Sequence, residues 1–211
     1  MYRVDKGVLY RLMLVGIVLF VGLLYVIASA VPAIVERGLI TTGEIMAILE
    51  GKAEQIGALG QTPIRLALMI ALNNIAITLS PLILLSLYKI LPGFLKFVPV
   101  GLFLIYAPFL FLSNAFLGGL VLGAVSLEQN VSVPLLILGL LPHAVFEFFA
   151  ISLTTFAAAL ILMNGLGNLS LVAPLLLSRL WSFAPALVMV LVFAAFVEVT
   201  VSPLLLQLII G

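Results

Sequence analysis

The stretch VPLLILGLLPHAVFEFFAISLTTFAAALILM, from Val133 to Met163, decides how the whole chain is read. His143 and Glu147 are its only ionisable side chains. A helix needs about 20 predominantly apolar residues to cross a hydrocarbon core about 30 Å thick. A membrane β-strand would instead alternate polar and apolar residues over about 10 positions. No such alternation is present, so this stretch reads as a membrane helix. Four other segments read the same way, at about 12–34, 66–88, 99–125 and 184–210. The expected fold class is all-α: a polytopic transmembrane bundle of about five spans, forming a single integral membrane domain over 1–211.

The composition agrees. Of 211 residues, 65% are hydrophobic and 8% charged, with a mean hydropathy of +1.43. Soluble domains are about half apolar and about a quarter charged. Nine Lys/Arg against eight Asp/Glu leave no basic surplus for phosphates, so no nucleic acid is expected as a partner. The absence of cysteine excludes a disulfide framework, a thiolate metal site and a cysteine nucleophile.

Within the Val133–Met163 stretch, Pro134, Gly139 and Pro142 punctuate the first third. Pro142 removes a helical hydrogen bond and predicts a break: a short leading helix, then a full span. The segment 169–183 contains Pro174 and Arg179 and is too short to cross upright. It predicts a re-entrant piece or half-helix, with Arg179 and Trp181 at the interface. The first span follows Arg3, Lys6 and Arg11 and contains Ala28-Ser29-Ala30, so it also fits a signal peptide. Its length and Pro32 just beyond the cut favour a retained helix. Basic residues near span ends set orientation. Arg3, Lys6, Arg11, Lys89, Lys96 and Arg179 fall on one face, and Arg37, Lys52 and Arg65 on the other, so the N-terminus is expected in the cytoplasm.

The loop between the first two spans carries Thr41-Thr42-Gly43-Glu44, a capping-box pattern. Apolar residues then recur at helical spacing, predicting an amphipathic outer helix over about 42–59. It reads either as a cover for apolar surface or as a docking face for an extracytoplasmic or membrane protein partner.

Polar side chains at membrane depth need a partner or a purpose. His143 and Glu147 are four residues apart and share one helix face. Glu198 is the second intramembrane carboxylate, and Asn74 and Asn114 add amides. Together these five form a candidate ligand or proton site. A metal ion at His143, Glu147 and Glu198 is the least favoured use, because a metallohydrolase needs three strong ligands plus a general base. No cofactor is predicted, and no G-x-S-x-G is present. In the third span, Gly118, Gly119 and Gly123 form a small-residue face including a GxxxG, which packs either within the chain or in a homodimer.

Asn73/Asn74, Asn114-Ala-Phe-Leu-Gly118, Pro142-His143-Ala-Val-Phe-Glu147 and Phe196-Val-Glu198, in that order, make the chain resemble the stage II sporulation protein M family of prokaryotic membrane proteins. Ala115 and Ala144 stand where that family often has glycine. The resemblance implies a multi-pass protein of the prokaryotic cell membrane, with the polar cluster assigned to Asn74, Asn114, His143, Glu147 and Glu198. Named members act in a sporulation membrane complex with a peptidoglycan-degrading protein and a further membrane protein, and relatives occur in organisms that do not sporulate. The first functional expectation is a non-catalytic scaffold or assembly component. The alternatives are a small permease or channel subunit, working as a homodimer, and an intramembrane metal-dependent enzyme.

Overall fold

A computed structural model describes residues 6–47, 62–163 and 169–210. Helix α1 runs Lys6–Glu36, and a short helix α2 covers 42–47. Helices α3 (Pro63–Ser86), α4 (Phe97–Gln129), α5 (Val133–Met163) and α6 (Leu169–Ile210) follow. Short 3-10 turns at Leu87–Lys89 and Gly93–Lys96 join α3 to α4. No strand occurs among the described residues. Five helices are long and apolar enough to cross a membrane, so the chain is a multi-pass helical bundle.

α5 is its centre. It packs against α1, α3, α4 and α6 and is the most buried of the five spans. Its own small side chains, Ala150, Ala157 and Ala158, are fully buried and let the neighbouring helices close around it. Phe20 of α1 locks one side: its ring stacks on Phe148 of α5 at 3.6 Å and meets Phe111 of α4 edge-on at 5.2 Å. Gly16 brings α1 against α5 so closely that an added Cβ would lie 2.8 Å from the Ser152 hydroxyl.

The glycine face of α4 is used inside the chain. A Cβ on Gly119 would fall 2.7 Å from Ile27, and one on Gly123 would fall 2.6 Å from the carbonyl oxygen of Ala28. That carbonyl is special, because Pro32 four residues on has no N–H to give it. Gly123 therefore sets its backbone against a carbonyl the helix itself leaves unbonded, a geometry suited to a Cα–H···O contact. Gly118 is looser, its added Cβ meeting only Leu24 at 3.4 Å. The Ala28-Ser29-Ala30 region lies in a packed helix, with Ala28 fully buried.

Two expectations need correction. Pro142 does not split the fourth span, since α5 is one helix through it. Burial explains this: Leu136, Ile137 and Leu140 pack with Phe20 and Leu24 of α1, and Gly139 sits against Leu206 and Ile209 of α6. The helix is held on both sides of the lost hydrogen bond. Nor is 169–183 a separate half-helix; it continues without interruption into the last span. Ala173, Leu176, Leu177 and Leu180 recur at helical spacing and are buried in the core that also holds Leu85, Tyr88, Val100 and Ile161. That stripe docks the segment along the bundle, so it does not fold back into the membrane. Trp181 Nε1 ties it to Ser86 Oγ at the end of α3, 2.8 Å away.

Proline is managed locally elsewhere. Pro81 frees the carbonyl of Ile77, and the Ser80 hydroxyl donates to it at 2.9 Å while lying 3.2 Å from the Tyr106 hydroxyl. At α2 the capping box forms as the sequence indicates: Thr41 N–H donates to Glu44 Oε2 at 2.8 Å, and Glu44 N–H to Thr41 Oγ1 at 3.1 Å. The Thr41 backbone and side-chain bonds hold the Glu44 carboxyl below its ordinary value of 4.5. Ile45, on the next position, is buried against Val31, Leu120 and Ala124. The remainder of the 42–59 helix lies outside the described residues.

The α1–α4 seam yields a contrast within one helix. Gly123→Ala should destabilise the bundle by about 1–3 kcal/mol, because backbone must move to admit the methyl. Gly101→Ala meets nothing within 4 Å and should be neutral or stabilising by up to about 1 kcal/mol. Unfolding of the two variants in detergent decides it, and equal stability would sink the seam argument.

Candidate functional site

The polar side chains deep in the spans gather from three helices. α5 and α6 are joined by a short connection and run antiparallel, so their i, i+4 pairs face each other in reverse order. His143 and Glu147 on α5 meet Ser202 and Glu198 on α6. His143 Nδ1 lies 2.7 Å from Ser202 Oγ, and both residues are buried. The antiparallel register that brings His143 to Ser202 sets Glu147 and Glu198 at the same level, one helical turn further along. The result is a ladder of two rungs, one neutral-polar and one acidic, one helical turn apart.

The third helix completes the acidic rung. Asn74 Nδ2 donates to Glu147 Oε1, and Asn73 Nδ2 lies 3.4 Å from Asn74 Oδ1. The start of α3, the start of α5 and the end of α6 lie on the same face of the bundle. An α-helix rises by about 1.5 Å per residue. By that rise Asn74 lies about 16 Å below this face. Glu147 lies about 21 Å below it, and Glu198 about 18 Å. The three side chains therefore lie at similar distances from that face, well inside their helices. Both carboxyls are half-buried, and Glu198 has no hydrogen bond among the described residues.

His143 and Glu147 share a face, yet they do not bond to each other. Each turns to a different helix. Asn114 stays apart: its Nδ2 donates to the Leu110 carbonyl of its own helix at 2.7 Å, and no hydrogen bond links it to the other four. Among the described residues, no three His, Asp or Glu side chains are grouped to hold a metal ion. Ser202 was not singled out by sequence. Its spacing of four from Glu198 mirrors His143 and Glu147, and this was the available signal. Gly16 was missed also, since a lone glycine gives no hint of its neighbour. Ser152, beside it, keeps a buried hydroxyl without a hydrogen-bond partner among the described residues.

The outer grooves have a different character. One of them, about 660 Å³, lies between α5 and α6 and is lined by apolar residues such as Leu138, Pro142, Phe146 and Leu205. A carboxyl group would find no partner there.

No family model, curated protein or solved structure matches the chain.

The Asn74–Glu147 bond should show as coupling. Asn74→Ala alone should cost about 1–3 kcal/mol by leaving a half-buried acceptor without its donor. In a double-mutant cycle with Glu147→Leu, the two losses should fall short of additivity by more than about 0.5 kcal/mol. Additive losses would mean that the two side chains do not interact.

Proposed function

We propose that the protein binds a proton or small cation between Glu147 and Glu198 and acts as a small permease or channel subunit. The observation carrying this reading is Glu147, held by Asn74 of α3, at the same level as Glu198 on the neighbouring α6, as the His143–Ser202 contact one turn away sets the register. Two like charges at close range in a low-dielectric interior repel strongly, so a proton or cation between them is the natural means of neutralising the pair. Ionisable residues at this depth are rare and mark ion or proton pathways more often than packing. His143 and Ser202, one turn along, offer a next hydrogen-bonded station on the same two helices.

Purified protein in liposomes tests this. Proton, Na⁺ or K⁺ flux should exceed that of protein-free vesicles, and Glu147→Gln and Glu198→Gln should each lower it at least about tenfold while the bundle stays folded. Flux equal to that of empty vesicles for all three ions would remove the reading.

A second reading is then in place: a membrane scaffold, as the resemblance to the stage II sporulation protein M family implies. It is favoured by the apolar lining of the outer grooves and by the closure of the α4 glycine face within the chain. On that reading the polar ladder pins α3, α5 and α6 together. Replacing His143 and Glu147 with a packed apolar pair should then leave capture of a membrane partner intact.

The same resemblance supports a prokaryotic plasma membrane as the location. Charge supports an N-in orientation. Alternate crossings put Lys89, Lys96 and Arg179 on the N-terminal face, which by sequence carries six basic residues against Asp5 alone. The opposite face carries Arg37, Lys52 and Arg65 against Glu36, Glu44, Glu50, Glu54 and Glu128. In intact cells, Arg37→Cys should react with an impermeant maleimide and Lys96→Cys should not. The reverse pattern would invert the topology.

A further inference from the structure

We infer that two copies of this chain pair through the outer face of α3, with Asn73 of one meeting Asn73 of the other at the centre of the membrane. Met69, Asn73, Ala76, Ser80, Ile83 and Leu87 follow one another at intervals of four, three, four, three and four. That is the a/d seam of a pair of supercoiled helices, with one asparagine in the seam. The seam lies opposite the face of α3 that carries the buried Ala67, Ala71, Thr78, Leu82 and Leu85. Asn73, Ala76, Ile83 and Leu87 are exposed, and Met69 and Ser80 are partly so.

Asn73 is what singles out a second copy as the occupant. It sits about 15 Å into α3 by the helical rise, at the depth where a polar group most needs a partner. Its one hydrogen bond is the 3.4 Å contact to Asn74, and its carbonyl oxygen has no partner among the described residues. A carboxamide both donates and accepts, so it is complementary to another copy of itself. Copies inserted the same way are related by a two-fold axis along the membrane normal, which sets each residue opposite its own counterpart at equal depth. Ala76, one turn on, is exposed and small enough for the backbones to approach, while Ser80, a turn further, borders Tyr106 of α4 at the edge of the seam. The pairing does not depend on the ion-binding reading. It would nonetheless extend the Asn73–Asn74–Glu147 chain of polar groups from one copy to the next.

The chain has no cysteine, so single cysteines report cleanly. Asn73→Cys and Ala76→Cys, oxidised in native membranes, should give a band at twice the chain mass. Ile105→Cys on α4 and Met189→Cys on α6, which are 72% and 70% exposed, should remain monomeric. Asn73→Leu in the Ala76→Cys background should weaken pairing about tenfold, as loss of one membrane-depth hydrogen bond predicts. The inference is overturned if Asn73→Cys and Ala76→Cys stay monomeric. It is equally overturned if Ile105→Cys or Met189→Cys cross-links as well as they do, or if the product has the mass of a different partner.

Discussion

Apolar side chains gain little by leaving lipid for protein, so close backbone approach and satisfied polar groups must hold a membrane bundle together. Everything described above depends on that constraint. At the α1–α4 seam it takes the form of two glycines set against Ile27, Leu24 and the Ala28 carbonyl. At Ser80 it takes the form of a hydroxyl given to a carbonyl freed by proline. At α5 it becomes the architecture itself: the helix that carries His143 and Glu147 is the one every other span touches. Its polar side chains are placed where partners from several directions can reach them.

The five spans were legible because hydrocarbon thickness is a length, and length is written in sequence. The capping box at Thr41 and Glu44 was legible too, since both partners lie within one turn. Prolines were harder. Pro142 and Pro174 read as breaks when judged by the one hydrogen bond each removes, while Leu136, Gly139, Leu176 and Leu180 show tertiary packing outweighing that loss. What sequence lacks is the identity of the neighbouring helix. The spacing of His143 and Glu147 was readable, but that they would turn away from each other, toward Ser202 and Asn74, was not. The same ignorance left the glycine face of α4 open between an internal and an external partner.

The facing pairs on α5 and α6 follow from antiparallel geometry. Two helices with polar residues at i and i+4 at matched depth align both pairs, and opposite axis directions reverse the order in which they meet. The alignment of His143 with Ser202 therefore carries Glu147 to Glu198, and Asn74 arrives at the same level from α3. One registration of helices sets the whole cluster. A shift of α6 by a single turn would part His143 from Ser202 and Glu147 from Glu198 together, which ties the α5–α6 half of the cluster to the packing of Gly139 on Leu206 and Ile209.

The unequal helices have a bearing on the surrounding lipid. α3 has 24 residues and α6 has 42, or about 36 Å against about 63 Å of helix. Trp181 fastens the long helix to the end of the short one, so α6 overhangs α3 by about 18 Å on that face and by about 9 Å on the other. A bilayer meets a low rim along α3 and a tall one along α6. Lipids around the protein must thin on one flank and stretch, or let α6 lean, on the other. The perimeter is therefore lopsided, and membranes of different thickness will not solvate it equally well.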